Sequence, residues 1–156
     1  MTLAKTLRRK LSEAPAASER HDFMLTDETS GWSLHLTADR RDAWSTVAWE
    51  LNLRRPPAQG DVAAWAQNVV AQTGGLLEAL RVVEVDKLHD RALLRSATPS
   101  EQDDKLAYYE LILQGTQSVA MCRFQGSNAS GKREQIPFVL TNEVLVNLVS
   151  SLTNIS

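Results

Sequence analysis

Residues 32–54 read WSLHLTADRRDAWSTVAWELNLR, and the fold turns on this stretch. Trp32, Leu34 and Leu36 alternate with Ser33, His35 and Thr37. After the polar residues 39–42, Val47, Trp49, Leu51 and Leu53 alternate with Ala48, Glu50, Asn52 and Arg54. A period of two is the signature of a half-buried strand. The two segments predict an antiparallel hairpin with one wet face. The element expected to cover its apolar side follows Pro56-Pro57. Asp61 is a suitable N-cap, and Val62, Trp65, Ala66, Val69, Val70 and Thr73 share one face of a predicted helix. Gly74-Gly75 closes it, with Gly74 suited to the left-handed position after the last turn.

The rest of the chain is read outward from this unit. Leu3, Leu7 and Leu11 give residues 2–12 a narrow apolar helical stripe among basic residues, and 13–20 read as a linker that begins at the helix-stopping Pro15. Strands are predicted at 21–27, 80–85, 91–95, 105–113, 118–125 and 133–140, with Pro137 marking an edge or bulge in the last. Residues 98–104 (TPSEQDD) read as an acidic solvated loop. Val144, Leu145, Leu148, Val149 and Leu152 make the apolar face of a final helix, capped by Thr141 or Asn142. The expected fold is α+β: a mostly antiparallel sheet of about six to eight strands, two amphipathic helices and a short basic N-terminal helix. The expected organisation is a basic helix and linker at 1–20 and one domain at 21–156.

Composition bounds the function. The 156 residues are 43% hydrophobic and 23% charged, enough to build a core. Net charge is −2, so no global basicity points to nucleic acid. The charge is uneven: residues 1–20 carry five basic groups against two acidic ones. No uninterrupted apolar run follows this basic start, and none elsewhere approaches the ~18 residues of a membrane span. One cysteine excludes an internal disulfide, and the expected compartment is the cytoplasm.

The motifs are thin. Residues 126–132 (GSNASGK) match a phosphate loop up to its last position, but Arg133 stands where a magnesium-binding hydroxyl belongs, and Pro137 argues for a following strand instead of a helix. A polar hairpin loop is the expectation there. Asn128-Ala129-Ser130 is a glycosylation acceptor only in a secreted chain. His89 lies between Asp86 and Asp90 in a predicted turn, where acidic residues serve the backbone. Cys122 alternates with Ala120 and Phe124 and reads as a small buried residue. No catalytic residue, metal ligand or cofactor is expected.

Two sets of residues remain as candidates. Trp44, beside Arg40 and Arg41, falls in a polar connection and suits equally a protein contact or a cap folded back on the core; the stripe Leu3, Leu7 and Leu11 is a second partner-facing candidate, on a helix expected to dock on its own domain or on a second copy unless it frays. His35, on the outward face of its strand and expected near Glu50, is the candidate for a small-ligand site. The leading expectation is a non-catalytic protein-binding module with a protein partner or self-association; the alternative is a small enzyme or ligand-binding domain centred on His35. In size, acidic charge and coarse element order the chain resembles the secretion-type chaperones. That likeness, which is one of architecture and includes no motif, implies a homodimer that binds other proteins.

Overall fold

The computed structural model describes residues 2–127 and 131–153. Among these, helix α1 spans Leu3–Glu13, α2 Val62–Gln72 and α3 Asn142–Thr153. Ten strands form one antiparallel sheet: β1 (His21–Thr26), β2 (Ser33–Arg41), β3 (Ser45–Arg54), β4 (Leu80–Asp86), β5 (Arg91–Ser96), β6 (Ser100–Gln102), β7 (Lys105–Gln114), β8 (Ser118–Ser127), β9 (Arg133–Ile136) and β10 (Phe138–Thr141). The α+β class with an antiparallel sheet is as expected, but the strands outnumber the six to eight predicted. One extra strand is β6, in the stretch expected to be loop. Asp103 and Asp104 both take positive φ there and turn β6 into a hairpin with β7. The other arises at Pro137, which cuts the predicted strand 133–140 in two.

The main strand order is β1-β2-β3-β8-β7-β5-β4, and β9 and β10 fill a fork in it. β3 and β8 pair only over Leu51–Arg54 against Met121–Ser118. Beyond that point they separate. β9 runs along the second half of β8 with Ile136 opposite Arg123, and β10 leaves along the first half of β3 with Phe138 opposite Ala48. Pro137 sits at the apex, where its missing N–H interrupts no ladder.

The alternation in β2 and β3 does fold into paired strands, but its phase shifts. The β2–β3 register slips at Asp39 and at Trp49. Each bulge inserts a residue and moves those beyond it to the other face. Thr46 and Ala48 therefore face the core with Leu51 and Leu53, while Val47 and Trp49 do not. The two bulge residues hold each other: Trp49 Nε1 donates to Asp39 Oδ1 at 3.2 Å, and Arg20 covers the Trp49 ring at 4.6 Å.

A single core joins all three helices to the inward side chains of the sheet. Asp61 caps α2 by accepting from the Ala63 amide at 3.1 Å, and Trp65 reaches Trp32 with ring centroids 6.3 Å apart. The helix otherwise lies over β4, β5 and β7. At its end Thr73 is extended, and Gly75, not Gly74, takes the positive φ of +81°. Thr141 Oγ1 caps α3 by accepting from the Val144 amide. Thr2 caps α1, whose Leu3, Ala4, Leu7 and Leu11 are buried. α1 packs against α3, and each fully buried leucine there contributes about 1.5–3 kcal/mol. The predicted linker is also tied down: Ala17 and Arg41 exchange two backbone hydrogen bonds.

Candidate protein-binding surface

The stripe Leu3, Leu7 and Leu11 is no more than 4% exposed: α1 docks on α3 of its own domain, one of the two placements expected for it, and the stripe is not left for a partner. Arg41 is likewise withdrawn. It is buried, its Nη2 donates to the Pro15 carbonyl at 2.6 Å, and its guanidinium lies 5.8 Å from the Phe23 ring. The bulge at Asp39 turns it inward while leaving Arg40 exposed.

Trp44 lies at the tip of the β2–β3 turn and is 81% exposed. The turn beneath it is rigidly clamped. Asp42 Oδ1 accepts from the amides of Trp44 and Ser45, both at 2.8 Å, and these bonds hold its carboxyl below the usual aspartate range. From α3, the Asn142 amide donates to the Trp44 carbonyl at 2.8 Å, and its Nδ2 donates to the Ala43 carbonyl at 3.1 Å. Asn142 Oδ1 in turn accepts from Thr46 Oγ1. These bonds fix the backbone from which the indole projects. Two shallow depressions flank the tip. One is lined by Ala17, Arg40, Ser45 and Val47, the other by Arg8, Ala43, Glu143 and Val146. Val139, 61% exposed on β10, pairs in register with Val47.

The outer face of the sheet carries the remaining polar chemistry. His35 Nε2 lies 2.9 Å from Asp22 Oδ1 of β1, not against Glu50 as expected. The register explains this: His35 stands opposite Met24 on one side and Asn52 on the other, while Glu50 stands opposite Thr37. The hydrogen bond from His35 keeps the Asp22 carboxyl below its usual range. His35 and Glu50 nonetheless line one open depression with Met24, Asn52 and Arg54. Farther along the sheet, Glu110 of β7 accepts from Arg95 at 2.9 Å and from Arg133 at 2.7 Å. Arg133 lies 3.8 Å over the Phe124 ring and also reaches the Tyr108 hydroxyl. Cys122 is half-buried on this outer face; burial first, then the carboxylates of Glu50 and Glu110, push its thiol up to about 11. His89 Nδ1 lies 2.7 Å from Asp86 within the β4–β5 turn, as turn chemistry predicts. No cluster of metal-ligating side chains occurs among the described residues.

The phosphate-loop match lies partly outside the described residues, and the acceptor Asn128-Ala129-Ser130 lies wholly outside them. Its described end, Gly131 to Arg133, enters strand β9 and not a helix. No helix among the described residues is long and apolar enough to cross a membrane.

Sequence reasoning singled out Trp44 and Arg40, both of which are exposed, but missed what supports the Trp44 turn. The spacing Asp42-x-x-Ser45 is an Asx-turn signal close at hand. Asn142 acts from a helix about a hundred residues away, and nothing local announces it. Compared with protein-family models, curated proteins and solved structures, the chain finds no significant match.

Proposed function

We propose that this chain is a non-catalytic protein-binding module that inserts Trp44 into a pocket of a partner protein. The observation that carries this reading is an indole 81% exposed on a turn held by both Asp42 and Asn142. Exposing an indole opposes the hydrophobic effect. A rigid support lowers the ordering cost of association, and buried tryptophans dominate interface energies. Exposed Arg40 and Asp42 line one flanking depression and exposed Arg8 and Glu143 the other, so the rim around the indole offers a partner charges of both signs.

Selection of displayed random peptides against the full chain tests this. Enriched peptides are expected to carry apolar residues flanked by charges of both signs and to bind Trp44→Ala at least ~10-fold more weakly. Peptides that bind the variant equally well contradict the proposal. A second reading is favoured by one observation: the Asp22–His35 pair borders an open depression with Glu50. That reading makes this face a small-ligand site. A fragment screen by NMR that shifts His35 and Glu50 resonances together supports it, and shifts confined to the Trp44 turn oppose it.

A further inference from the structure

We propose that β4 pairs with β4 of a second copy of this chain, antiparallel and centred between Val82 and Val83. β4 ends the sheet, and β5 is its only strand neighbour among the described residues. One row of its backbone donors and acceptors is therefore open to another strand. Read outward from that midpoint, the sequence opposes itself. Val82 meets Val83, Arg81 meets Glu84, Leu80 meets Val85, and farther out Leu77 is carried toward Leu88.

The faces must also agree. A two-fold axis normal to the sheet keeps each residue on the same face in both copies, and directly opposed residues share a face. In a regular strand, residues three or five apart lie on opposite faces, so this register is forbidden. The bulge in β4 lifts the prohibition. The β4–β5 register shifts between Val82 and Glu84, so that Arg81 stands opposite Arg95 and Glu84 opposite Leu93, both on the outer face. Leu80 and Val85 stand opposite the buried Ser96 and Ala92, both on the inner face. A bulge usually discourages edge pairing; here it is the feature that lets the strand match itself.

The charges point the same way. Arg81 and Glu84 are exposed, and among the described residues neither makes a salt bridge within the chain. Across the two-fold axis they form two identical ion pairs. Leu77 and Leu88, 75% and 88% exposed, bracket β4 and lose water in the same contact. β1, at the other end of the main strand order, offers no such self-opposition: Asp22 is already held by His35. The pairing goes beyond the Trp44 reading and is separable from it, because the Trp44 turn joins β2 to β3 in the opposite arm of the sheet.

Sedimentation equilibrium of the full chain is the test. The wild type is expected at twice its 17.3 kDa mass in the micromolar range. Arg81→Glu and, separately, Glu84→Arg each set like charges opposite one another twice and weaken the dimer at least ~10-fold. The double exchange Arg81→Glu with Glu84→Arg restores it, and circular dichroism verifies the fold of each variant. A monomeric wild type overturns the proposal. So does a dimer that the single changes leave intact, or a double exchange as weak as either single change. Peptide binding at Trp44 is read independently of all three outcomes.

Discussion

β7 and β8 carry a carboxylate–arginine contact on each of their two faces, and the two contacts differ in what surrounds them. On the inner face, Glu78 reaches in from the α2–β4 connection to meet Arg123, at 2.8 and 3.0 Å, with side chains only 4% and 6% exposed. Ser96 and Ser100 donate to the same carboxylate, and Arg123 lies 4.3 Å from the Tyr109 ring. On the outer face, the buried Glu110 sits between Arg95 and Arg133, whose side chains are 38% and 42% exposed. Both carboxyls feel burial first, which alone would raise them, yet their hydrogen bonds hold both below the ordinary value of 4.5. The inner pair is dry and complete, and it fixes a loop to the sheet. The outer cluster keeps two cations at water and one carboxylate beneath them. The same residue types therefore make a buried pair or a hydrated one according to which face of the strand they occupy.

The largest effect is expected from breaking the inner pair. Arg123→Ala strands a buried carboxylate and should cost about 3–5 kcal/mol in urea unfolding. Glu78→Leu combined with Arg123→Met should recover much of that loss, because it removes both desolvated charges. A loss under ~1 kcal/mol for Arg123→Ala would show that water reaches the site.

Acid comes next. Both glutamates have folded pKa values below the unfolded one, so their contribution is fully present above the unfolded value and disappears as pH falls through the folded values. Stability should be level from neutral pH down to about 5, then fall. Glu78→Gln should flatten that fall more than Glu110→Gln does, measured by urea midpoints across a pH series. At neutral pH, Glu110→Gln should cost roughly 1 kcal/mol, discounted because its partners are hydrated. The smallest effect is expected at the recognition tip: Trp44→Ala should change stability by no more than ~0.5 kcal/mol.

Much of the framework was legible in the sequence because it rests on local rules. The Asp61 cap, the apolar faces of α2 and α3, and the alternation Leu34, Leu36 fix elements from residues a few positions apart. The phase of β3 was not legible. Its bulges depend on Asp39 and Trp49 bonding across the hairpin, which periodicity does not encode. The role of Arg123 was hidden for a related reason. The repeat Ala120, Cys122, Phe124 looks like the core face of β8, yet the inward residues are Val119, Met121 and Arg123. Only a distant carboxylate, Glu78, makes an inward arginine tolerable. At the candidate surface, Trp44 stood out by its polar company, while the α3 contact that makes its turn rigid is long-range.

The central claim is that Trp44, alone among the four tryptophans, is held out for a partner. ¹⁹F NMR of the 5-fluorotryptophan-labelled chain tests it most directly, with the Trp44 signal assigned from Trp44→Phe and the selected peptide added stepwise. The account predicts that the Trp44 resonance moves to saturation while those of Trp32 and Trp65 stay in place. A bound peptide that leaves the Trp44 resonance unmoved would contradict it.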